Sequence, residues 1–360
     1  MKRVQIVGTQ RSGSNLLRLV LGSLPGVFAP PSAHKLRDLQ GLMPRYGSPL
    51  NSKLLVDDMA RLVELNALVW PHLADRSRIV LAELQGSTLA HAVLAFYDAH
   101  ARSLHKDIWV SKCLENAHFF DQIVATDLPM IWVHLVRDPR DVAHSFAKAP
   151  IGPKDPRVIA LRWLRDQKAA IAARSAIRED RWFTVRYEDL VADPKTALSP
   201  LCGSLGLRWS AVALEFHRRE EAHNAASLSE LWNNLNRPIR RDRVSAYKRS
   251  SDIELLMAVE GIDYEIMSMF GYLPERVTAP TVISAHEEND ALIRDREMRA
   301  AMAASRDPEA EAVHLRRLQF LEGLKTMSSQ AVPGGSDVRA VRAESSDRVA
   351  GKTAPDQKEQ

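Results

Sequence analysis

Short apolar runs alternate along the chain with longer segments of helical periodicity, the pattern of an α/β protein. The apolar runs predict buried strands, and they cover residues 4–7, 108–110, 130–136 and 182–186. Segments with apolar residues three or four positions apart predict helices, and they cover residues 16–21, 57–70 and 89–104. Because strands separated by helical segments pair in parallel through right-handed crossovers, we predict a central parallel β-sheet flanked by helices.

The last hundred residues predict an extension outside the sheet domain. A helix over residues 253–270 ends at Gly271 and Pro274, so we assign the sheet domain to residues 1–275. Residues 276–327 are charged and helical, and their apolar stripe either packs back on the domain or mediates self-association into a homo-oligomer. The stripe consists of Leu315, Leu318, Leu321 and Leu324. Residues 328–360 are polar and lack aromatic side chains, which predicts a disordered tail.

Polar residues with chemical potential follow four of the predicted strands. The segment Gly8–Asn15 follows the first strand, and Lys112, Arg137 and Tyr187 follow the others. In parallel sheets, ligands bind outside the carboxyl ends of the strands. We therefore expect one ligand site at that edge.

The segment Gly8–Asn15 is close to a Walker A motif and departs from it at two positions. The motif G-x-x-x-x-G-K-[ST] cradles phosphates with backbone N–H groups, and its lysine and hydroxyl serve the phosphates and Mg²⁺. Gly8 and Gly13 keep the spacing, but Ser14 replaces the lysine and Asn15 replaces the metal ligand. The positive charge lies earlier, at Arg11. The loop predicts an anion site without a metal and argues against an ordinary ATPase or kinase.

Composition narrows the function further. The 360 residues carry 49 lysines and arginines against 45 acidic residues, with no long basic block, so we do not expect nucleic-acid binding. Cys113 and Cys202 are far apart and predict neither a disulfide framework nor a zinc site. The first strand leaves no room for a signal peptide, and no 18-residue apolar run offers a membrane span. These features predict a cytoplasmic protein.

Four blocks, in order, resemble the sulfotransferases that use 3′-phosphoadenosine 5′-phosphosulfate (PAPS). The first corresponds to the family's [PR]-[KR]-S-G-[ST]-[TN] loop and comprises Gln10, Arg11, Ser12, Gly13, Ser14 and Asn15. The second runs from Arg137 to Ser145, eight positions apart. The third is the R-Y-E-D-L segment that contains Tyr187. The fourth is the late basic segment that contains Lys248 and Arg249.

The resemblance implies a P-loop-like fold and a role for each block. The first block would hold the 5′-phosphosulfate, and Arg137 with Ser145 would hold the 3′-phosphate. Tyr187 would contact the nucleotide, and Lys248 with Arg249 would close over it. PAPS is the implied co-substrate. No metal is expected, because the transferred sulfuryl group carries a single negative charge.

The resemblance is weakest at the catalytic base. Cytosolic relatives have K-T-H, whereas this chain has Lys112-Cys113-Leu114. Other branches use a glutamate after the first helix, and the corresponding segment here contains His34 instead. We predict that His34 is the base, with Glu115 and His118 as alternatives, and that Arg11 and Lys112 stabilise the transferred and leaving groups.

Two other functions and several acceptors stay open at this point. A nucleotide kinase or NTPase would require Mg²⁺-dependent ATP binding, and a non-catalytic relative would bind PAPS or its desulfated product without transfer. The acceptor is a hydroxyl, less readily an amine, of a small molecule, sugar or lipid. The segments 30–87 and 150–164 are expected to wall its pocket.

Overall fold

The sheet has five parallel strands in the order β2-β3-β1-β4-β5. The computed structural model describes residues 1–66, 68, 70, 88–227, 233–303 and 308–330. The strands are β1 (Lys2–Gly8), β2 (Val27–Phe28), β3 (Ile108–Ser111), β4 (Ile131–Val136) and β5 (Trp182–Arg186). This architecture confirms the predicted fold class. The two-residue strand β2 was not predicted, because it is too short to produce a hydrophobic pattern.

Helices cover both faces of the sheet. Their bounds within the described residues are α1 (Ser14–Gly22), α2 (Lys35–Leu39), α3 (Ser52–Glu64), α4 (Leu89–Ser103), α5 (Phe120–Val124), α6 (Pro139–Lys148), α7 (Pro156–Ala176), α8 (Tyr187–Ala192), α9 (Pro194–Ser204), α10 (Glu220–Ser227), α11 (Ile253–Ile262), α12 (Tyr264–Met269), α13 (Ala285–Ala303) and α14 (Pro308–Gln330). Short 3-10 segments precede or follow several of them.

The central strands β1 and β4 are almost entirely buried, because helices cover both of their faces. Along β1, Val4 and Ile6 belong to one core cluster and Val7 to the other. Along β4, Trp132 and Val133 are divided between the clusters in the same way. This alternation follows from the two-residue period of a strand.

A buried polar chain links β4 to the loop after β1. His134 Nε2 lies 2.7 Å from Gln167 Oε1, and Gln167 Nε2 donates to Thr9 Oγ1 at 3.1 Å. Burial lowers the pKa of His134 to about 4, so the imidazole is neutral near pH 7. The helix α7 therefore fixes the start of the loop through hydrogen bonds rather than through a buried charge.

Two predicted helices have different bounds in the structure. The helix predicted over 57–70 begins earlier, at Ser52, because Asn51 caps it by accepting from Leu54 N, and it ends at Glu64. The single helix predicted over 253–270 is divided into α11 and α12 at Asp263. Of the predicted cap Gly86–Thr88, Thr88 accepts from His91 N, and Gly86 and Ser87 lie outside the described residues.

The C-terminal helices pack back on the sheet domain. Leu324 is buried, and Phe320 and Leu321 pack beside it against the core cluster that contains Val7. Leu315 and Leu318, predicted on the same stripe, are exposed. The helix α14 extends to Gln330, three residues into the predicted tail, whose remainder lies outside the described residues. Within the described residues, no helix combines the length and the apolarity needed to cross a membrane.

We predict that Gly8→Ala destabilises the protein by at least about 3 kcal/mol. Gly8 has φ of +135°, and a Cβ atom there would lie 2.2 Å from the backbone oxygen of Leu135 on β4. The strand would have to separate from its neighbour. The measurement is the free energy of unfolding by urea titration.

Gly203→Ala is the matched control for this prediction. A Cβ atom at Gly203, in α9, meets nothing within 4 Å, so alanine there should be neutral or stabilise the helix by about 0.5–1 kcal/mol. Equal unfolding free energies for the two variants would contradict the close approach at Gly8.

Candidate active site

The carboxyl ends of β1, β4 and β5 surround a cavity of about 350 Å³. Seven of the residues predicted from the sequence line it: Arg11, Gly13, Ser14, Asn15, Arg137, Ser145 and Tyr187. They come from three separate strand ends and from the helix after β4. The structure therefore brings three of the four sequence blocks together around one space.

The loop after β1 has a backbone that presents donors to this cavity. Gly13 has φ of +88°, and a Cβ atom there would lie 2.5 Å from the ring of Tyr187. Arg11 also has a positive φ of 72°. The helix α1 begins at Ser14, and no side chain of the described residues caps it. Because the first N–H groups of a helix have no intrahelical partner, this end is suited to an anion.

Arg137 connects the segments around the cavity. Its Nη1 donates to the backbone oxygen of Arg11 at 2.9 Å, and its Nη2 donates to the backbone oxygen of Arg243 at 2.6 Å. Its guanidinium lies 4.2 Å from the ring centroid of Tyr187, a cation–π contact. Asp141 Oδ2 is 3.4 Å from Nη2. The Arg137 side chain thus holds together the loop after β1, the ring of Tyr187 and the basic segment that contains Arg243.

Arg11 meets Ser145, so the first and second sequence blocks are in direct contact. Arg11 Nε donates to Ser145 Oγ at 3.0 Å. Burial, followed by the charges of Arg137 and Arg243, lowers the pKa of Arg11 to about 10. The guanidinium is still charged near pH 7, in a field that favours an anion.

Two buried polar atoms of this region lack a partner in the described part of the chain. They are Ser12 Oγ and Arg137 Nε. Buried polar groups are normally paired, and both atoms lie in blocks that resemble a phosphate-binding site. A ligand with several anionic oxygens fits this donor set.

A second group of side chains lies at the carboxyl end of β3. His34 Nδ1 is within hydrogen-bond distance of Glu115 Oε1, and Arg37 Nη1 is 3.8 Å from the same oxygen. Burial alone raises the pKa of Glu115, but His34 and Arg37 outweigh it and lower that pKa to about 2. Glu115 is therefore a carboxylate that orients His34, and it is too weak a base to accept a proton near pH 7.

Lys112 directly follows β3 in the chain, and it does not line the cavity. Its backbone oxygen accepts a 2.8 Å hydrogen bond from Ser32 Oγ, in the loop that carries His34. Burial, and then the charge of Arg18, lowers the pKa of Lys112 to about 8, with further effects of Glu115 and Arg11. The charge of Arg11, in the loop after β1, and the charge of Glu115 thus both act on the amine of Lys112.

His34 and Glu115 also lie near Cys113, and the ligand atoms of the three residues are within 4.8 Å of one another. Zinc uses these three residue types. However, Arg37 is 3.8 Å from Glu115, and the amine of Lys35 interacts electrostatically with Cys113. The guanidinium of Arg37 beside the trio fits a hydrogen-bonded His34–Glu115 pair better than a divalent metal ion, whereas burial lowers the pKa of Lys35 to about 7 and leaves its amine only partly charged near pH 7.

Three residues predicted for the site, His118, Lys248 and Arg249, have partners outside the cavity lining. His118 Nε2 is 3.1 Å from Asp166 Oδ1. Lys248 Nζ is 3.9 Å from Glu275, and Arg249 donates to the backbone oxygen of Asp242 at 2.9 Å. The predicted residues that do not line the cavity include Gln10, Ser12, His34, Lys112, Lys248 and Arg249, and the roles predicted for them stay predictions.

Sequence reasoning missed several polar residues that line the cavity. They are Lys148, Asn234, Arg237, Arg240 and Arg243. Three of the arginines lie within seven positions of one another, in the segment NRPIRRDR. This cluster of arginines is the sequence signal for a basic cavity lining, whereas the resemblance indicates Lys248 and Arg249, which follow the cluster in the chain.

Comparisons with known proteins bear on the family and the fold of the chain. The profile of the Sulfotransferase family matches residues 3–211, which is more than half of the chain. The chain is similar to the sulfotransferase domain from the curacin biosynthetic pathway, at 19% identity and a TM-score of 0.51, over 76% of this chain and 99% of that domain.

A second solved structure shares the fold. It is the sulfotransferase domain from the Synechococcus PCC 7002 olefin synthase, at 20% identity and a TM-score of 0.50, over 74% of this chain and 95% of that domain. No curated protein matches the chain significantly. The family profile spans the loop after β1, the segment from Arg137 to Ser145, and Tyr187. The chain therefore belongs to the sulfotransferase family.

Proposed function

We propose that the protein transfers a sulfuryl group from PAPS to a hydroxyl group of an organic acceptor. The observation that carries this proposal is the convergence of Arg11, Arg137, Ser145 and Tyr187 around one cavity. PAPS has two separate anionic groups, a 3′-phosphate and a 5′-phosphosulfate, and needs donors for both. The loop after β1 would serve one, and Arg137 with Ser145 would serve the other.

The charge of the cavity favours this donor. Its lining includes six cationic side chains, Arg11, Arg137, Lys148, Arg237, Arg240 and Arg243, against one carboxyl group, that of Asp141. Burial raises the pKa of Asp141 despite the opposing effect of Arg137. Arginines bind phosphate oxygens through paired, charge-assisted hydrogen bonds. The buried, unpartnered Ser12 Oγ and Arg137 Nε add two further donors.

The transfer requires an acceptor base and stabilisation of the leaving group. In our mechanism His34 removes the hydroxyl proton, while the hydroxyl oxygen forms a bond to sulfur and the bond from sulfur to the bridging oxygen breaks in line. Arg11 and Lys112 offset the charge that develops on the leaving phosphate. Glu115 holds the imidazole through Nδ1, so the proton goes to Nε2.

The direct test supplies PAPS with a panel of hydroxylated acceptors and detects sulfated product by mass spectrometry. Calorimetry with the desulfated product, 3′-phosphoadenosine 5′-phosphate (PAP), measures the donor site separately. We expect PAP to bind without added metal and to bind more weakly as salt increases. Binding of ATP with Mg²⁺, together with no binding of PAP, would overturn the proposal in favour of a nucleotide kinase or NTPase.

We predict that Arg137→Ala weakens PAP binding roughly 100-fold or more, because a charge is lost together with the hydrogen bonds that hold the loop after β1 and the segment around Arg243. Ser145→Ala should weaken it about tenfold, and it offers a milder test if Arg137→Ala folds poorly. Arg208→Ala is the control, since Arg208 is exposed and outside the cavity lining. Unchanged PAP affinity in both site variants would exclude them from the donor site.

We predict that His34→Ala lowers kcat by about 10²- to 10⁴-fold, the usual contribution of general acid–base catalysis. Glu115→Gln should lower kcat less, because it leaves the imidazole in place without its carboxylate partner. PAP affinity should stay within twofold of wild type in both variants. His118→Ala is the matched control, and a loss of kcat there with none in His34→Ala would transfer the base role to His118.

We predict that kcat/KM for PAPS falls as pH rises through about 8, because the pKa of Lys112 is lowered to about 8 in the free protein. Below this pH the amine is charged and stabilises the phosphosulfate, and above it the charge is lost. Lys112→Arg should keep its charge and retain activity to higher pH. An identical alkaline limb in wild type and Lys112→Arg would contradict the role of Lys112.

A further inference from the structure

The C-terminal helices α13 and α14 lie beyond the segment that matches the family profile, which ends at residue 211. They contact two segments that flank the active site. One is the loop with α2 that carries His34, and the other is the turn after α6, the helix that carries Ser145. The contacts are buried or partly buried hydrogen bonds, most of them to backbone atoms, so they bear on position rather than on surface charge.

Arg317 of α14 holds the first segment, the loop with α2, through hydrogen bonds. Its Nη2 donates to the backbone oxygen of Ala33 at 2.9 Å, next to His34, and contacts Asp38 of α2. Its Nη1 donates to the backbone oxygen of Leu62 at 2.6 Å and to Asn66 Oδ1 at 2.9 Å. One guanidinium therefore joins the start of α2 to the end of α3.

Apolar packing holds this guanidinium in place. Leu324, seven positions further along α14, is buried, and Phe320 and Leu321 pack beside it against the core cluster that includes α2 and α3. Arg317 itself is only 11% exposed. A rigid, packed helix can thus transmit a fixed position to the loop of His34.

Asp295 of α13 makes the equivalent contact on the second segment. Its Oδ1 accepts from the backbone N–H groups of Lys154 and Asp155. Lys154 Nζ donates in turn to the backbone oxygen of Phe146 at 2.6 Å and to that of Ala149. The turn is therefore fixed between α13 and the last turn of α6, directly after Ser145.

We propose that α13 and α14 hold two segments beside the active site in position, an arrangement that we call the clamp. Arg317 and Asp295 are its positioning residues. The proposal rests on the proposed function, because it assigns Arg317 to the loop that carries the base. Arg317 fixes the imidazole of His34 relative to the acceptor hydroxyl. Asp295 fixes the turn after α6, beside the cavity that would hold the donor. Misplacement of a reacting group by about 1 Å can cost about 100-fold in rate.

Arg317→Ala is expected to lower kcat by about 10- to 100-fold and to leave PAP affinity within twofold of wild type, because the donor site is held by other residues. Arg317→Lys should recover part of the loss, since a lysine keeps the charge but cannot reach all four acceptors. Arg316→Ala is the matched control, because Arg316 is the exposed neighbour on the same helix. A kcat for Arg317→Ala equal to that of Arg316→Ala would overturn the proposal.

Hydrogen exchange separates this proposal from the proposed function. In the full chain, Arg317→Ala should speed amide exchange in residues 35–39 about tenfold, and Asp295→Ala should do the same at Lys154 and Asp155. Arg316→Ala and Glu297→Ala should change neither. Unchanged exchange would reject the clamp even if sulfuryl transfer is observed. Faster exchange in a protein that transfers no sulfuryl group would reject the proposed function and leave the clamp standing.

Discussion

The hydrogen bonds of one buried guanidinium determine how the active site is assembled. Arg137 donates to backbone oxygens of Arg11 and Arg243 and lies against the ring of Tyr187. A buried cation without partners is costly, so these segments must close around it. Gly13 accommodates the ring of Tyr187, since any Cβ atom there would collide with it. The packing around Arg137 therefore determines the conformation of the loop after β1, the position of Tyr187 and the position of the segment around Arg243.

The cationic side chains of Arg11, Arg137 and Arg243 repel one another, and a bound anion would reduce this repulsion. The pKa of Arg11 is lowered by burial and by Arg137 and Arg243, which means that these cations destabilise one another in the free protein. Under the proposed function, a ligand with phosphate oxygens would replace this repulsion by attraction. Positioned charges that need no rearrangement are the main source of stabilisation in group transfer. Binding of the proposed donor would therefore offset the cost of holding the cations together.

Local patterns predicted four of the five strands, and the resemblance identified the four sequence blocks, because each of these is a short continuous signal. The strand 130–136 and the eight-residue spacing from Arg137 to Ser145 depend only on neighbouring residues. Arg237 and Arg317 were not predicted, because their roles depend on where a distant segment folds back. The break between α11 and α12 at Asp263 was missed for a similar reason, since tertiary packing overrides helical periodicity there.

The order of the strands explains why two chemistries meet at one edge. β1 is central, with β3 on one side and β4 on the other, so the loop that carries Arg11 separates two halves. The β4 and β5 ends supply Arg137 and Tyr187, while the β3 end supplies Lys112 and Glu115. Donor groups and the His34–Glu115 pair therefore occupy neighbouring positions without sharing side chains. The charges of both Arg11 and Glu115 act on the pKa of Lys112, so a change of charge in either half would shift that pKa.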